Sequence, residues 1–128
     1  MSLPANAPPV VFVATSAREL AVPFYRDVLG LRLMGQDGYA ATFDLGNRTP
    51  LRLTDVPGHR PSGNAVLGWH VADLAATAKA LEIKGVVFKR YDGFDQDALG
   101  IWSAPEGGTK IVWFEDLDGN LLSVTQIG

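Results

Sequence analysis

The chain has 128 residues, of which 47% are apolar and 20% charged, a balance that suits one globular domain with its own core. Its net charge of −3 and its 11 scattered Lys and Arg residues argue against a phosphate-binding or anionic-membrane surface, so neither nucleic acid nor membrane is expected as a partner. The absence of cysteine excludes disulfides, a thiol nucleophile and a thiolate metal site.

Apolar runs such as Val10 to Ala14 fall far short of the roughly 20 residues a membrane span needs. The opening residues lack the basic and apolar regions of a signal peptide, so a cytoplasmic location is the expectation. Residues 1–9 hold three prolines and no periodicity, and read as an extended lead-in. Val10 to Thr15 is short and rich in β-branched residues, hence a strand. Ser16-x-x-Glu19 matches a capping box. Pro23 is tolerated only in the first turn of a helix, so regular helix is expected from near Ala21 through Val28, stopping at Gly30. Strands are then predicted over Leu31 to Met34, Tyr39 to Leu45 and Leu51 to Thr54, separated by turns at Gln36-Asp37-Gly38 and Gly46-Asn47-Arg48.

Residues 57–64, with two prolines and two glycines, read as a linker joining two halves of one domain. A second unit follows: strand Ala65 to Val71, Asp73 as helix cap, helix Leu74 to Lys84 and a stop at Gly85. Further strands are predicted over Val86 to Tyr91, Leu99 to Ser103, Lys110 to Phe114 and Leu121 to Gln126. Both halves are read on a β-α-β-β-β plan, the second with one short strand more, module one over 10–56 and module two over 65–128, in a single domain 10–128.

That repeated order, the run Phe24-Tyr25-Arg26-Asp27-Val28-Leu29-Gly30-Leu31 and the closing Phe114-Glu115-Asp116-Leu117-Asp118-Gly119-Asn120-Leu121-Leu122 resemble the vicinal oxygen chelate superfamily. This is the glyoxalase, bleomycin-resistance and extradiol-dioxygenase group. The resemblance implies an α+β fold in which two βαβββ modules form a curved mixed sheet around a cup, and it implies a homodimer. It also implies four metal-ligand positions, one on the first and one on the last strand of each module. Alignment on the helix motifs puts these at Val10, Arg52, Val66 and Ser123. Valine has no lone pair to give, arginine is a fixed cation and serine is a weak neutral ligand. A slip of one residue would substitute Val11, Leu51 or Leu53, Leu67, and Leu122 or Val124, which serve no better. No metal and no other cofactor is expected. The loop carboxylates Asp92, Asp95, Asp97 and Glu106 show no ligand spacing either.

Strand alternation then lines the cup with Phe12, Phe43, Trp102 and Trp113, and with Arg52, His70, Ser123 and Thr125 as polar points. Phe43 enters this set through a hairpin closing at Gly46-Asn47-Arg48-Thr49, which would pair it with Arg52 and turn Asp44 to the other face. The lining suits a flat or aromatic compound, with any anionic group on Arg52. The plainer reading makes the aromatics ordinary core, and gives Arg52 a carboxylate partner from the Asp92-to-Asp97 loop. His70 reads either as a base or hydrogen-bond donor in the cup, or as a strand-end histidine bonded to a backbone carbonyl. The leading functional expectation is metal-independent binding of a small molecule. A metal-dependent glyoxalase-like lyase or dioxygenase, and a metal-free enzyme using His70 or Arg52, are the alternatives.

Overall fold

Val11–Thr15 (β1) alternates exposed Phe12 with buried Val13 and Thr15, the pattern of a strand with one covered face. In the computed structural model, which describes residues 2–128, the chain divides into two units, Met1–His59 and Arg60–Gly128. The division falls inside the linker read at 57–64.

In the first unit β1 is followed by α1 (Arg18–Pro23), a π-helical turn (Phe24–Val28), β2 (Arg32–Gln36), β3 (Ala40–Asp44) and β4 (Pro50–Asp55). The sheet order is β1-β4-β3-β2, with β1 parallel to β4 and the other pairs antiparallel. The helix starts at Arg18, three residues before the expected Ala21, and its N-cap is Ala17, which makes no side-chain cap bond. The capping box read at Ser16 and Glu19 is therefore not what starts it. Pro23 lies inside the helix instead of in its first turn. Its missing N–H interrupts the ladder, and the chain rephases through it. The Phe24 N–H reaches back to the Ala21 carbonyl, and the Leu29 N–H to the Phe24 carbonyl at 3.0 Å, the wider π spacing. Gly30, at φ +76°, ends the segment where a side chain would be strained, as its position predicted.

The β3–β4 hairpin corrects one expectation. Its loop is five residues, Leu45 to Thr49, closed by the Leu45 N–H to the Thr49 carbonyl at 2.9 Å. Gly46, Asn47 and Arg48 all take left-handed φ, between +51° and +86°. The pairing is consequently Phe43↔Leu51 and Thr42↔Arg52, one residue from the expected register. A one-residue shift moves a side chain to the opposite face. Phe43 is fully buried beside Tyr25, ring centroids 5.9 Å apart, and Asp44 shares the face of Arg52.

The second unit repeats the topology. β5 (Ala65–His70), α2 (Leu74–Ile83), β6 (Trp102–Ser103), β7 (Lys110–Glu115) and β8 (Leu121–Gln126) form a sheet of order β5-β8-β7-β6. Asp73 caps α2 as predicted, its Oδ1 accepting the Ala76 N–H at 3.1 Å. The α2 side of the sheet buries Val112, Phe114, Leu122 and Val124 with Leu74 and Ala78 of the helix. Val86 to Tyr91 is not a strand: its backbone bonds β7 once, Lys89 N–H to the Trp113 carbonyl at 2.8 Å, and the Lys89 ammonium adds an ion pair to Glu115 at 3.0 Å. The strand expected over Leu99 to Ser103 shrinks to Trp102–Ser103. Together the units are an α+β arrangement of two four-stranded mixed sheets. No helix among the described residues is long and apolar enough to cross a membrane.

Candidate functional site

On the second sheet, the face turned away from α2 carries two rows of side chains across the strands. One row is Trp113, Ser123 and Gly68; the next is Trp102, Ile111, Thr125 and His70. The expected neighbours Trp113 and Ser123 are directly paired, and Trp102 comes to the same face, its ring 6.1 Å from that of Trp113.

Two further aromatics complete a cluster that strand alternation did not reveal. Tyr91 stands edge-on to Trp113 at 5.5 Å, while Phe94 lies 5.6 Å from Tyr91, 5.6 Å from Trp102 and 5.8 Å from Trp113. These are the separations of tilted and T-shaped pairs. Trp102, Trp113 and Tyr91 are half-buried, and Phe94 is 45% exposed, so the cluster presents ring surface outward instead of closing on itself.

The loop holding Tyr91 and Phe94 is braced by one side chain. Gln96 Oε1 accepts the Tyr91 N–H at 2.8 Å, and its Nε2 donates to the carbonyls of Lys89 at 2.9 Å and Gly100 at 2.8 Å. The side-chain amide thus satisfies backbone groups that a strand neighbour would otherwise satisfy, which is why Val86 to Tyr91 forms no ladder. Arg90 adds bonds to the carbonyls of Asp97 and Ala98, and Asp97 Oδ1 accepts the Leu99 and Ile101 amides. The loop carboxylate Asp97 therefore holds its own turn, and Arg52 finds its partner elsewhere.

His70 is exposed at the end of β5 and its imidazole makes no hydrogen bond among the described residues, so it is not the carbonyl-bonded histidine of the plainer reading. Ser123 and Thr125 are half-buried beside it. These three supply hydrogen-bonding points along one margin of the aromatic surface.

The first unit places Phe12 and Arg52 on the corresponding face, directly paired, with Phe12 67% exposed. Phe43 does not join them; it belongs to the packing under α1. Arg52 Nη1 donates to Asp37 Oδ2 at 3.0 Å and to Thr42 Oγ1 at 3.2 Å. Asp37 also accepts the Tyr39 and Ala40 amides on Oδ1, while Arg18 forks onto Asp55 and reaches the Asp37 carbonyl. The Tyr39 and Ala40 amides, and after them Arg52, hold the Asp37 carboxyl below its usual range. A depressed carboxyl contributes stability above its unfolded pKa of about 4 and loses it as pH falls through the lower folded value. Asp37→Asn should therefore flatten the acid limb of a stability–pH profile below about pH 4, measured by urea melts. An unchanged acid limb would remove Asp37 from that role.

The four positions that the resemblance implies can be compared strand by strand between the two units. Arg52 pairs with Phe12, two residues after Val10; Ser123 pairs with Gly68, two residues after Val66. Arg52 and Ser123 therefore correspond, whereas the second unit has a register shift between Ala65 and Leu67, at Val66, that the first unit lacks. Val10 and Val66 offer only hydrocarbon, Arg52 is a cation engaged by Asp37, and Ser123 is a single neutral oxygen. This donor set does not fit a divalent cation. Among the described residues no group of three His, Asp or Glu side chains could replace it.

No family model matches the sequence, and no curated protein matches it. Solved structures match it over nearly the whole chain. Lactoylglutathione lyase from Agrobacterium tumefaciens is 21% identical with a TM-score of 0.71, over 96% of this chain and 95% of that one. A member of the glyoxalase/bleomycin resistance protein/dioxygenase superfamily from Sphaerobacter thermophilus DSM 20745 is 21% identical, TM-score 0.70, covering 94% and 96%. TnmS3, an antibiotic binding protein from Streptomyces sp. CB03234, is 24% identical, TM-score 0.69, covering 100% and 99%. The chain has the vicinal oxygen chelate fold that the sequence motifs anticipated. At these identities the likeness speaks for the fold and leaves the chemistry to the residues.

Proposed function

We propose that this chain is a metal-independent small-molecule-binding protein that takes a planar aromatic compound on the face of its second sheet. The observation that carries this reading is the outward-facing cluster of Tyr91, Phe94, Trp102 and Trp113, bordered by Ser123, Thr125 and His70. Exposed ring surface with a few adjoining polar groups is the make-up of a site for a flat organic ligand. The fold shared with TnmS3, an antibiotic binding protein, supports binding without turnover as a use for such a face. The shared fold with lactoylglutathione lyase is the argument for a metal-dependent enzyme, and the donor set at Val10, Arg52, Val66 and Ser123 weighs against it. Arg52 already has Asp37, so an anionic group on the ligand is not required to balance it. A homodimer remains part of the reading on the strength of the resemblance.

Two measurements test it. In an amide-labelled sample the chain gives three indole N–H signals, from Trp69, Trp102 and Trp113. Titration with 2-naphthol should move those of Trp102 and Trp113 and leave Trp69, on the opposite face of β5, in place. Trp102→Ala should weaken binding about tenfold, the scale of a lost aromatic pair of about 1.5 kcal/mol. Calorimetric titration with nickel, zinc or iron(II) should show no stoichiometric binding; one tightly held equivalent would sink the metal-independent reading.

A further inference from the structure

Gly68 sits in the middle of β5, where its backbone is not in the left-handed region, so conformation does not require glycine. Space does. A Cβ built there would lie 2.5 Å from Ser123 Oγ and 3.2 Å from the Ser123 carbonyl oxygen. The Ser123 hydroxyl is laid across the strand into the volume a side chain at 68 would fill. It makes no hydrogen bond to another group among the described residues. On its other side, Ser123 is paired with Trp113.

We propose that Gly68 is a positioning residue, whose missing side chain holds the Ser123 hydroxyl beside Trp113 as the hydrogen-bonding point for a polar substituent on a bound aromatic compound. This rests on the reading of the aromatic face above and adds a preference to it: rings carrying a hydroxyl or carbonyl should be held better than bare rings. The other polar side chains bordering the face are Thr125, two residues along the same strand, and His70, which pairs with Thr125, whereas Ser123 is the residue paired with Trp113, so the position of Oγ decides which ring substituent is read there. A methyl at 68 would turn the hydroxyl into another rotamer, since a serine side chain yields more readily than a strand backbone.

The test compares 2-naphthol with naphthalene, two rings that differ by one hydroxyl. The wild-type protein should prefer 2-naphthol roughly five- to tenfold, the scale of one hydrogen bond. Gly68→Ala should reduce that preference to less than threefold, as should Ser123→Ala. A general structural defect would weaken both compounds equally, so an equal loss in Gly68→Ala would overturn the proposal. So would an undiminished preference, or a crystal structure of Gly68→Ala with Ser123 Oγ unmoved. If Gly68→Ala does not fold, the double variant G68A/S123A, which lacks the obstructing oxygen, should fold; its failure to do so would also overturn the assignment. If neither compound moves the Trp102 and Trp113 signals of the wild-type protein, the binding face itself fails and the role of Gly68 falls with it. Movement of those signals with an undiminished preference in Gly68→Ala would overturn the positioning role alone.

Discussion

Phe43→Ala should destabilise the protein by about 3–5 kcal/mol, the usual cost of removing a buried phenylalanine, and should leave ring binding on the second sheet unaltered. The side chain is fully buried, packed against Tyr25 on the α1 side of the first sheet. Its neighbours Leu51 and Leu53 are fully buried as well, so little of the resulting cavity can be filled by relaxation. Denaturant melts would read the stability, and the 2-naphthol titration would read the face. A variant that keeps wild-type stability but loses ligand would restore Phe43 to a binding surface and would require the five-residue hairpin loop to be wrong. The prediction thus tests a register as much as a residue.

Gln96→Ala should cost roughly 1–3 kcal/mol, because it strips partners from one backbone N–H and two carbonyls at once. Its effect should also be local. The Tyr91 amide should lose protection from hydrogen exchange, and the Tyr91–Phe94 half of the aromatic cluster should loosen, weakening ring binding together with stability. Gln96→Glu is the sharper variant. A carboxylate would face the carbonyls of Lys89 and Gly100, which the native amide donates to, so the charged form is disfavoured in the folded state. Its folded pKa would be raised, and the added loss of stability would set in as pH rises past the ordinary glutamate value of about 4.3. A Gln96→Glu protein equally stable at pH 4 and pH 7, relative to wild type, would show that the amide donors are not what brace the loop.

Much of the fold was legible because it rests on local signals. The glycine stop at Gly30, the Asp73 cap, the alternation in β1 and β5 and the turn at Asp116 to Asn120 each act over a few residues. Asp116 shows the limit of reading such a turn by type alone. Its carboxylate accepts the Asp118 and Asn120 amides and the Asn120 side chain, making the turn a buried hydrogen-bonded unit. Half of the candidate site was readable in the same way. Trp102, Trp113, Ser123 and His70 share a face because β-strand periodicity and the β7–β8 pairing follow from local sequence.

What escaped depended on loops and on side chains acting far along the chain. Three consecutive left-handed residues at Gly46, Asn47 and Arg48 lengthened one hairpin loop, and that single residue moved Phe43 into the core. The partner of Arg52 is Asp37, 15 residues away in a turn that propensity marked but could not aim. Tyr91 and Phe94 joined the aromatic cluster through an irregular segment held by the Gln96 amide, and no periodicity announces such a brace. The sequence by itself determined the repeated β-α-β-β-β plan and the residue types at the four positions that the resemblance implies, since both depend on residue type and short-range order. Only the tertiary structure decided which aromatics form a surface and which form core, because that choice turns on strand register and loop closure, where one residue reverses the face a side chain meets.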